Sequence, residues 1–448
     1  MENADLIVIG GDAAGMSIAA AAKKIRPEWK VIVFDAGNYI SYALCGTPYY
    51  ISGKVKNIDD LIVLTPETAL SKKGVTVHIN HRVESIDPLA KTISVIDLSK
   101  KRNLSFGYSK LAIATGASAV VPSIPGVDSE GIFTLHSLDD AQNIRKYIES
   151  NDIKKSVVVG AGPVGMEMTE SFTELGISTT VVEMLPTVLG IHDEKMLEAI
   201  ISEASANNVD IMLNSKVLSF ESKNGKVSAV HTDKGEIEAQ LVLLATGIKP
   251  NTELAKSIGL ELGANNAIYV DLQGATSRPG IYAAGDCAQI RDIVTGKWIW
   301  MPLGTTANKQ GHSVGYAIAG KIPKFKGIIR STVTKFFNLG IETVGLSVAE
   351  IKKLNWEIAE AVIKSTSCAH YYPGHSPVWV DLYCDAKTGR MLGGQYIGPW
   401  QSVKRFDVIT SAVSNRMTAE DLANLDIPYT PPVGIVWDPI NIAARKLT

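Results

Sequence analysis

Short apolar runs recur along the chain, separated by polar or alanine-rich segments, as in proteins whose strands alternate with helices. Before residue 290 the strand-like runs are 6–9, 31–34, 111–114, 157–159, 179–182, 241–245 and 280–284. This alternation predicts a layered α/β protein. After about residue 330 the pattern changes: strand-like stretches at 331–337, 378–383 and 391–397 and helical stretches at 402–415 and 419–425 predict an α+β domain.

Two of the apolar runs end in glycine-rich turns. The first turn is Gly10-Gly11-Asp12-Ala13-Ala14-Gly15, with Asp35 after the next run, and the second is Gly160-Ala161-Gly162-Pro163-Val164-Gly165, with Glu183 after the next run. A strand that turns tightly into a helix presents free N–H groups and the positive dipole end to a pyrophosphate, and the later carboxylate binds ribose hydroxyls. Two such units predict two dinucleotide-binding folds.

The two turns differ. The second has glycine at all three positions, and the sequence Glu183-Met184-Leu185-Pro186 contains no arginine for a 2′-phosphate, which favours NADH over NADPH. In the first turn Asp12 replaces the middle glycine, so a side chain stands where backbone normally approaches the pyrophosphate.

Two Ala-Thr-Gly segments mark candidate crossings between domains. Ala114-Thr115-Gly116 precedes a stretch rich in proline and small residues (117–127), and Ala245-Thr246-Gly247 precedes a matching return. They predict a discontinuous first domain, residues 1–116 and 248–325, with a second domain of residues 117–247 inserted in it. The remaining residues, 326–448, form the predicted α+β domain.

Composition limits the kind of partner. The 448 residues include 44 lysines and arginines against 46 acidic residues, a net charge of -2, which argues against a general nucleic-acid or anionic-membrane binder. Residues 4–22 are apolar, but they are interrupted by Asp5 and Asp12 and follow no basic segment, so we interpret them as strand, turn and helix rather than a signal peptide. We expect a cytoplasmic protein.

The four cysteines, Cys45, Cys287, Cys368 and Cys384, form no CxxC pair, and the eight histidines are scattered, so neither a disulfide framework nor a metal site is predicted. Around Cys45, Gly46 and Pro48 suggest a helix starting at the cysteine, which would favour the reactive thiolate. A buried, inert thiol is the alternative.

Together, the two turns, the two Ala-Thr-Gly crossings, SYALCGTPYY at residues 41–50 and GIYAAGDC at residues 280–287 resemble the pyridine nucleotide disulfide oxidoreductase family. The match is to its single-cysteine branch of coenzyme A disulfide reductases, NADH oxidases and NADH peroxidases. The resemblance implies an FAD-binding and an NAD(P)H-binding Rossmann-like domain, the second inserted in the first, plus a C-terminal dimerisation domain that completes the active site of a homodimer.

The resemblance also implies roles for single residues. Asp35 would bind the adenosine ribose of FAD, Asp286 its ribityl chain, and Cys45 would lie against the flavin, while Glu167 would lie near the nicotinamide. A helix N-cap is the alternative for Asp286, and simple complementation of the helix dipole is the alternative for Glu167. The other expected cofactor-binding residues are Gly10, Asp12, Ala13, Ala14, Gly15, Ala114, Thr115 and Gly116 for FAD, and Gly160, Gly162, Pro163, Val164, Gly165, Glu183 and Gly247 for NAD(P)H.

Family members with an internal dithiol have a CxxxxC motif, but the fifth residue after Cys45 is Tyr50. Cys45 must therefore cycle through a mixed disulfide, a persulfide or a sulfenic acid. In the oxidase and peroxidase branches a histidine stands where this chain has Ala13, which makes peroxide a less favoured substrate.

Coenzyme A disulfide reductases carry active-site tyrosines from the partner subunit, one in a Tyr-Tyr-Pro-Gly stretch and one before Pro-Pro. Tyr371 or Tyr372 and Tyr429 match them, with interface packing as the alternative. The resemblance further implies coenzyme A contacts at Lys23, Lys24, Ser41 and Thr65, although the lysines also suit a solvated helix face.

The resulting expectation is an FAD-dependent NAD(P)H oxidoreductase that reduces coenzyme A disulfide or related small disulfides through Cys45. The alternatives are sulfur, polysulfide or dioxygen as the acceptor, and a non-catalytic flavoprotein sensor.

Overall fold

The computed structural model describes all 448 residues. The chain divides into two compact units. Unit 1 comprises Met1–Val120, His136–Gln142 and Ile248–Ile328, and unit 2 comprises Val121–Leu135, Asn143–Gly247 and Ile329–Thr448.

The strands in chain order are β1 (Glu2–Ile9), β2 (Val31–Phe34), β3 (Ile40–Tyr42), β4 (Ile62–Leu64), β5 (Thr76–His78), β6 (His81–Asp87), β7 (Thr92–Asp97), β8 (Arg102–Ile113), β9 (Ala117–Ala119), β10 (Ile132–Phe133), β11 (Lys155–Val159), β12 (Ser178–Val182), β13 (Asp210–Met212), β14 (Val217–Lys223), β15 (Lys226–Thr232), β16 (Gly235–Glu238), β17 (Leu241–Leu244), β18 (Ile248–Pro250), β19 (Ile281–Ala283), β20 (Ile290–Arg291), β21 (Trp298–Ile299), β22 (Thr332–Phe336), β23 (Leu339–Gly345), β24 (Ile358–Thr366), β25 (Pro377–Asp385) and β26 (Met391–Pro399).

The α-helices are α1 (Ala13–Ile25), α2 (Thr47–Ile51), α3 (Pro66–Lys73), α4 (Leu138–Ser150), α5 (Pro163–Glu174), α6 (Glu194–Ala206), α7 (Glu253–Ser257), α8 (Gly304–Ile318), α9 (Val348–Lys353), α10 (Asp407–Ser414), α11 (Ala419–Ala423) and α12 (Pro439–Arg445). None of them has the length and apolarity needed to cross a membrane.

Unit 1 is built on a twisted sheet with strand order β5-β2-β1-β8-β7-β6, and β19 pairs with β8 as well. Strands β5, β2, β1, β8 and β19 are parallel, as expected for a sheet covered on both faces, and β2 is buried along its whole length. Helix α1 packs closely on α8. Glycine at position 311 of α8 permits this approach, since a Cβ atom there would lie only 2.4 Å from the Ala14 carbonyl oxygen.

Two short strands that directly follow the Ala-Thr-Gly crossings lie in unit 1, which resumes at Ile248 after the second crossing. Strand β9, which follows the first crossing, pairs antiparallel with β18, which follows the second. Asn251 joins them, since its Nδ2 donates to the Thr115 carbonyl at 2.9 Å and its own carbonyl accepts from Thr115 Oγ1 at 2.7 Å.

Unit 2 contains a parallel sheet, β10-β17-β11-β12-β13, a three-stranded antiparallel sheet, β14-β15-β16, and a five-stranded antiparallel sheet, β22-β23-β26-β25-β24. Helix α5 is tied to β22 and the residue after it. The buried Glu170 forms an ion pair with the half-buried Lys335, and its other oxygen accepts from the Phe337 amide at 2.7 Å.

The strands predicted from apolar runs are confirmed, and most of their ends lie within a few residues of the predicted ones. Strands β1 and β8 are longer than predicted, because each begins well before its apolar run. The helix predicted at 402–415 is wrong in its first part, because Trp400–Phe406 is a 3-10 helix that leads into α10. Ser402 Oγ donates to the Pro399 carbonyl at 2.8 Å, which occupies the acceptor that the first α-helical turn would use.

Candidate active site

The first glycine turn connects β1 to α1 in unit 1. Gly10 has φ +102°, and a Cβ atom at Gly15 would lie 1.8 Å from the Gly10 carbonyl oxygen, so only glycine allows this approach of helix to strand. The carboxylate of Asp35 accepts hydrogen bonds from the amides of Gly11 at 2.6 Å and Gly37 at 2.7 Å. Hydrogen bonds within the chain therefore hold Asp35 against the turn without the help of a ligand.

The second turn, in unit 2, repeats this construction. Gly160 has φ +109°, and a Cβ atom at Gly165 would lie 2.0 Å from the Gly160 carbonyl oxygen. Glu183 accepts from the Ala161 amide at 2.7 Å and from the Leu185 amide at 2.8 Å. Gly162 precedes Pro163, the first residue of α5, and no other atom lies within 4 Å of where its Cβ would be, which leaves the end of the helix accessible to a ligand.

Asp12 does more than replace a glycine. It is the residue before α1, but its side chain does not cap that helix. Instead Oδ1 accepts from the Tyr42 amide at 3.2 Å, and the neighbouring Ser41 amide donates to the Gly11 carbonyl at 3.0 Å. Burial raises the pKa of Asp12 to about 6, with a further contribution from Asp35. The turn is thus bonded to the segment that leads to Cys45.

Asp286 is half-buried, and its Oδ1 is a buried oxygen that accepts no hydrogen bond from the chain. Burial raises its pKa to about 6. The helix-cap alternative is wrong, because the next helix after Asp286, α8, begins at Gly304 with Leu303 as its cap residue. A buried oxygen that lacks a donor is costly, so the site fits a ligand that supplies hydroxyl donors, as the ribityl chain of FAD does.

Cys45 lies in a 3-10 turn, Leu44–Gly46, and is exposed. The helix predicted to start at the cysteine starts at Thr47 instead: α2 has Gly46 as its cap residue and Pro48 in its first turn. Thr47 Oγ1 donates to the Leu44 carbonyl at 2.7 Å, which closes the turn around the thiol.

The other three cysteines, Cys287, Cys368 and Cys384, are buried. Burial raises the pKa of the Cys287 thiol to about 11, so it stays protonated and unreactive at neutral pH.

The residues expected to contact coenzyme A have local roles as well. Lys23 Nζ donates to the Trp29 carbonyl at 2.5 Å, whereas Lys24 is exposed. Thr65 caps α3, accepting from the Thr68 amide and donating its own amide to Thr68 Oγ1 at 2.8 Å. Ser41 has φ +44°, a left-handed conformation that costs a residue other than glycine free energy.

The tyrosine segments meet in unit 2. Tyr371 Oη lies 3.5 Å from Tyr429 Oη, and both rings are exposed. The hydrogen bond between the two phenols raises the pKa of Tyr429 above its ordinary value. Of the two tyrosines in the Tyr-Tyr dipeptide, Tyr371 is the one that contacts Tyr429, and Tyr372 takes no part in this pair.

Arg405 holds the two segments together and was missed by the sequence analysis. Its Nη2 donates to the Ser367 carbonyl at 2.8 Å and to the Val433 carbonyl at 2.6 Å. The Ala369 amide adds a direct bond to the Pro431 carbonyl at 3.1 Å. No sequence signal marks Arg405, because it is separated along the chain from both segments.

Glu167 lies in the first part of α5, half-buried, in unit 2. Burial, and after it the charge of Glu170, raises the pKa of Glu167 to about 7. A carboxyl group with a pKa near neutrality close to a dinucleotide turn is suited to a charge or proton role at that site.

Comparison with known proteins gives family matches both to the part of the chain that contains the two glycine turns and to the part that contains the C-terminal sheet. Residues 4–311 match the family described as Pyridine nucleotide-disulphide oxidoreductase, and residues 331–439 match its dimerisation domain. The chain is 38% identical over 442 residues to the NAD(P)H sulfur oxidoreductase (CoA-dependent) of Pyrococcus abyssi, covering 99% of this chain and 98% of the relative. It is 28% identical to the coenzyme A disulfide reductase of Staphylococcus aureus, covering 98% and 99%.

Among solved structures, the NAD-dependent persulfide reductase from A. fulgidus superposes with a TM-score of 0.94 at 34% identity, covering 99% of this chain and 82% of that one. The two matches to the family together span nearly the whole sequence. The chain therefore belongs to the pyridine nucleotide-disulphide oxidoreductase family and is an oxidoreductase enzyme with the α/β architecture and C-terminal dimerisation domain of that family.

Proposed function

We propose that this enzyme uses FAD and NAD(P)H to reduce coenzyme A disulfide, or related small disulfides, through Cys45 as its redox thiol. The observation that carries the proposal is the exposed thiol of Cys45 in a closed turn, with Tyr50 where a second cysteine would complete an internal dithiol. A thiolate without a resolving cysteine must form its disulfide with a second molecule.

The cofactor sites are part of the same proposal. Residues 1–116 and 248–325 would bind FAD, with Asp35 on the adenosine ribose and Asp286 on the ribityl chain. Residues 117–247 would bind NAD(P)H, with Glu183 on the ribose. Each of Asp35 and Glu183 accepts two hydrogen bonds from backbone amides. These bonds support the assignment, since each carboxylate is oriented before a ribose binds.

Glu183 also supports a preference for NADH. A 2′-phosphate would meet the carboxylate charge at this position, and the next residues, Met184 and Leu185, are exposed and apolar. Neither side chain can donate a hydrogen bond to a phosphate.

Bound FAD supplies the two-electron chemistry that takes a hydride equivalent from NAD(P)H and reduces a disulfide. The thiolate of Cys45 attacks one sulfur of coenzyme A disulfide. The S–S bond breaks, a Cys45–coenzyme A disulfide forms, and the second coenzyme A leaves as a thiolate that takes up a proton. Two electrons and one further proton then break the Cys45–coenzyme A disulfide, return Cys45 to its thiolate and release the coenzyme A that was bound to it as a thiol.

The proton for the first leaving thiolate would come from the tyrosine pair. Tyr429 is held by Tyr371, and its pKa is raised, so it remains a proton donor at neutral pH. We assign the pair to the active site of the other chain of a homodimer, in which residues 326–448 form the interface. The exposure of both rings in the single chain and the match to a dimerisation domain support this assignment.

A second candidate acceptor is polysulfide, with coenzyme A as the carrier thiol. The similarity to a coenzyme A-dependent sulfur oxidoreductase and to a persulfide reductase favours it. In this variant the Cys45 thiolate attacks the outer sulfur of a coenzyme A persulfide, the S–S bond breaks, a Cys45 persulfide forms and coenzyme A leaves as a thiolate. Two electrons then release the outer sulfur as hydrosulfide and restore the Cys45 thiolate.

Steady-state NADH oxidation tests both candidates. Rates are measured with coenzyme A disulfide, polysulfide with and without coenzyme A, hydrogen peroxide and dioxygen, for the parent, Cys45→Ser and the buried control Cys384→Ala. We expect disulfide turnover in the parent and the control and none in Cys45→Ser. Disulfide turnover that survives Cys45→Ser would refute the assignment, and the absence of turnover with every acceptor would favour a sensor. Mass spectrometry of the isolated protein should also detect coenzyme A retained on Cys45.

A further inference from the structure

Three side chains from distant parts of the sequence, none of them assigned a role above, meet within unit 2. His192 precedes α6, Glu360 lies on β24 and Asp381 lies on β25. His192 Nε2 is 2.7 Å from Glu360 Oε1 and 3.2 Å from Asp381 Oδ2. One ligand atom from each of the three residues lies within 4.8 Å of the other two.

The sheet register puts these carboxylates together. Asp381 is directly opposite Val362 of β24, so Glu360, two residues earlier, projects from the same face on the neighbouring strand. On its other side Asp381 is opposite Gln395 of β26. Gln395 holds the histidine segment in place, because its Nε2 donates to the Gly190 carbonyl at 3.0 Å and its Oε1 accepts from the His192 amide at 3.4 Å.

Hydrogen bonds within this cluster do not satisfy all of its buried oxygens. Nε2 of His192 carries at most one hydrogen, and the geometry directs it to Glu360. The side chain of Asp381 has no solvent exposure, and neither of its oxygens accepts a hydrogen bond, although one faces the same nitrogen. A buried carboxylate without a donor carries a large desolvation cost.

We propose that His192 Nε2 and one oxygen each of Glu360 and Asp381 bind a divalent transition-metal ion of the Zn²⁺ type. A metal ion can bind the lone pair of the neutral imidazole and both carboxylates at once. A single proton on Nε2 can form a hydrogen bond to only one of the carboxylates. Its two positive charges also balance the two carboxylates. One nitrogen and two oxygens suit Zn²⁺ at about 2.0–2.2 Å, and water would complete the coordination. His192 and Glu360 are partly exposed, which gives an ion access from solvent.

A second cluster provides a matched control. Glu221, His231 and Glu236, on the β14-β15-β16 sheet, also bring three potential ligands together, with His231 3.5 Å from Glu221 and 3.7 Å from Glu236. All three of these side chains are substantially exposed, so water can solvate both carboxylates. No buried oxygen there requires an ion, and we expect only weak binding.

The test uses the full-length protein with Cys45→Ser, which removes the exposed thiol as a competing ligand, after treatment with a chelator. Zn²⁺ binding is measured by calorimetry and by metal content after gel filtration, and Co²⁺ serves as a spectroscopic probe. We expect one Zn²⁺ per chain in this background and with the added control Glu236→Gln. Adding Asp381→Asn or His192→Ala should weaken binding by more than about 100-fold, because each removes a ligand.

Retained FAD and an unchanged near-UV circular dichroism spectrum would establish that the variants are folded, and Zn²⁺ should raise the Tm of the background but not that of Asp381→Asn. Glu360→Gln provides a ligand variant at a more exposed position. No uptake by the background, or equal uptake by the background and Asp381→Asn, would overturn the proposal and reduce the cluster to a histidine–carboxylate ion pair.

Discussion

The phenol oxygens of Tyr371 and Tyr429 lie 3.5 Å apart, although 58 residues separate them in the sequence. Each ring is exposed in the single chain, by 66% and 41%. Large exposed aromatic side chains are common where another surface or a ligand covers them. The contact makes the two tyrosines one unit, in which one phenol can orient the other as a proton donor.

Replacing Tyr429 by phenylalanine removes the proposed proton donor and keeps the ring. We expect kcat with coenzyme A disulfide to fall by about 100-fold, the usual scale of general acid catalysis. The rate at which NADH reduces the enzyme in the absence of disulfide should not change, because that step precedes the proton transfer. Stopped-flow and steady-state kinetics separate the two rates.

Tyr372→Phe is the control for this experiment. It changes the neighbouring phenol, which is outside the pair, and should leave kcat within about twofold of the parent, as expected for a surface substitution. A larger loss in Tyr372→Phe than in Tyr371→Phe would mean that the wrong member of the Tyr-Tyr dipeptide has been assigned.

Arg405 is a positioning residue for this pair, because its guanidinium bridges the Ser367 and Val433 carbonyls. Arg405→Ala leaves both carbonyls without their charged donor. We therefore expect the free energy of unfolding to fall by about 1–3 kcal/mol and kcat to fall as well. Arg405→Lys should recover most of the stability but little of kcat, since one ammonium cannot hold both carbonyls in the same geometry.

A double-mutant cycle distinguishes this positioning role from a purely structural one. If Arg405 acts through the tyrosines, Arg405→Ala and Tyr429→Phe together should lower kcat no more than the stronger single change. Fully additive losses in kcat would contradict the role.

The parts of this enzyme that sequence could predict are those set by local constraints. Strand β2 and both glycine turns follow from runs of a few residues, because apolar stretches and positions that tolerate only glycine are encoded locally. The missed features depend on residues far apart in the chain. Asp12 accepts from Tyr42 on another element, and His192 meets Asp381 only because two antiparallel strands pair in one register. Neither spacing nor composition contains that information.

Asp286 provides a test of the flavin site. Its buried Oδ1 accepts no hydrogen bond from the chain, so a ligand hydroxyl would gain a charge-assisted bond there. Asp286→Asn should weaken FAD retention by about 10- to 100-fold, the scale expected for one hydrogen bond to a charged group. FAD content after gel filtration, from visible absorbance, measures the loss. The exposed substitution Asp128→Asn should leave FAD content unchanged, and full FAD content in Asp286→Asn would argue against the assigned contact.

The backbone at Ser41 predicts a conflict between stability and binding. Its φ of +44° is unfavourable for serine, so Ser41→Gly should raise the free energy of unfolding by up to about 1 kcal/mol. The same change removes the hydroxyl expected to contact coenzyme A and should raise the KM for the disulfide. Asn80→Gly is the matched control: Asn80 has φ +56°, but asparagine tolerates this conformation, so the gain should be smaller. A loss of stability in Ser41→Gly would contradict the strain argument.

Glu167 predicts the pH dependence of NADH use. Its pKa is raised from 4.5 to about 7, so the carboxyl group is mostly protonated at pH 6 and mostly ionised at pH 8. Ionised Glu167 would stabilise the positive charge that develops on the nicotinamide during hydride transfer. We therefore expect kcat/KM for NADH to rise through pH 7 in the parent. In Glu167→Gln the rise should be absent, with a rate about tenfold lower at pH 8.

Stability should respond to pH in the opposite sense. The folded pKa of Glu167 exceeds its unfolded value, so the group's contribution to stability is fully present below pH 4.5 and is lost as the pH rises through about 7. Relative to the parent, Glu167→Gln should therefore gain stability between pH 5 and pH 8 while it loses activity at pH 8. Denaturant unfolding at the two pH values measures the first effect. If Glu167 only complemented the helix dipole, its removal would instead lower stability at pH 8 and leave the pH profile of kcat/KM unchanged.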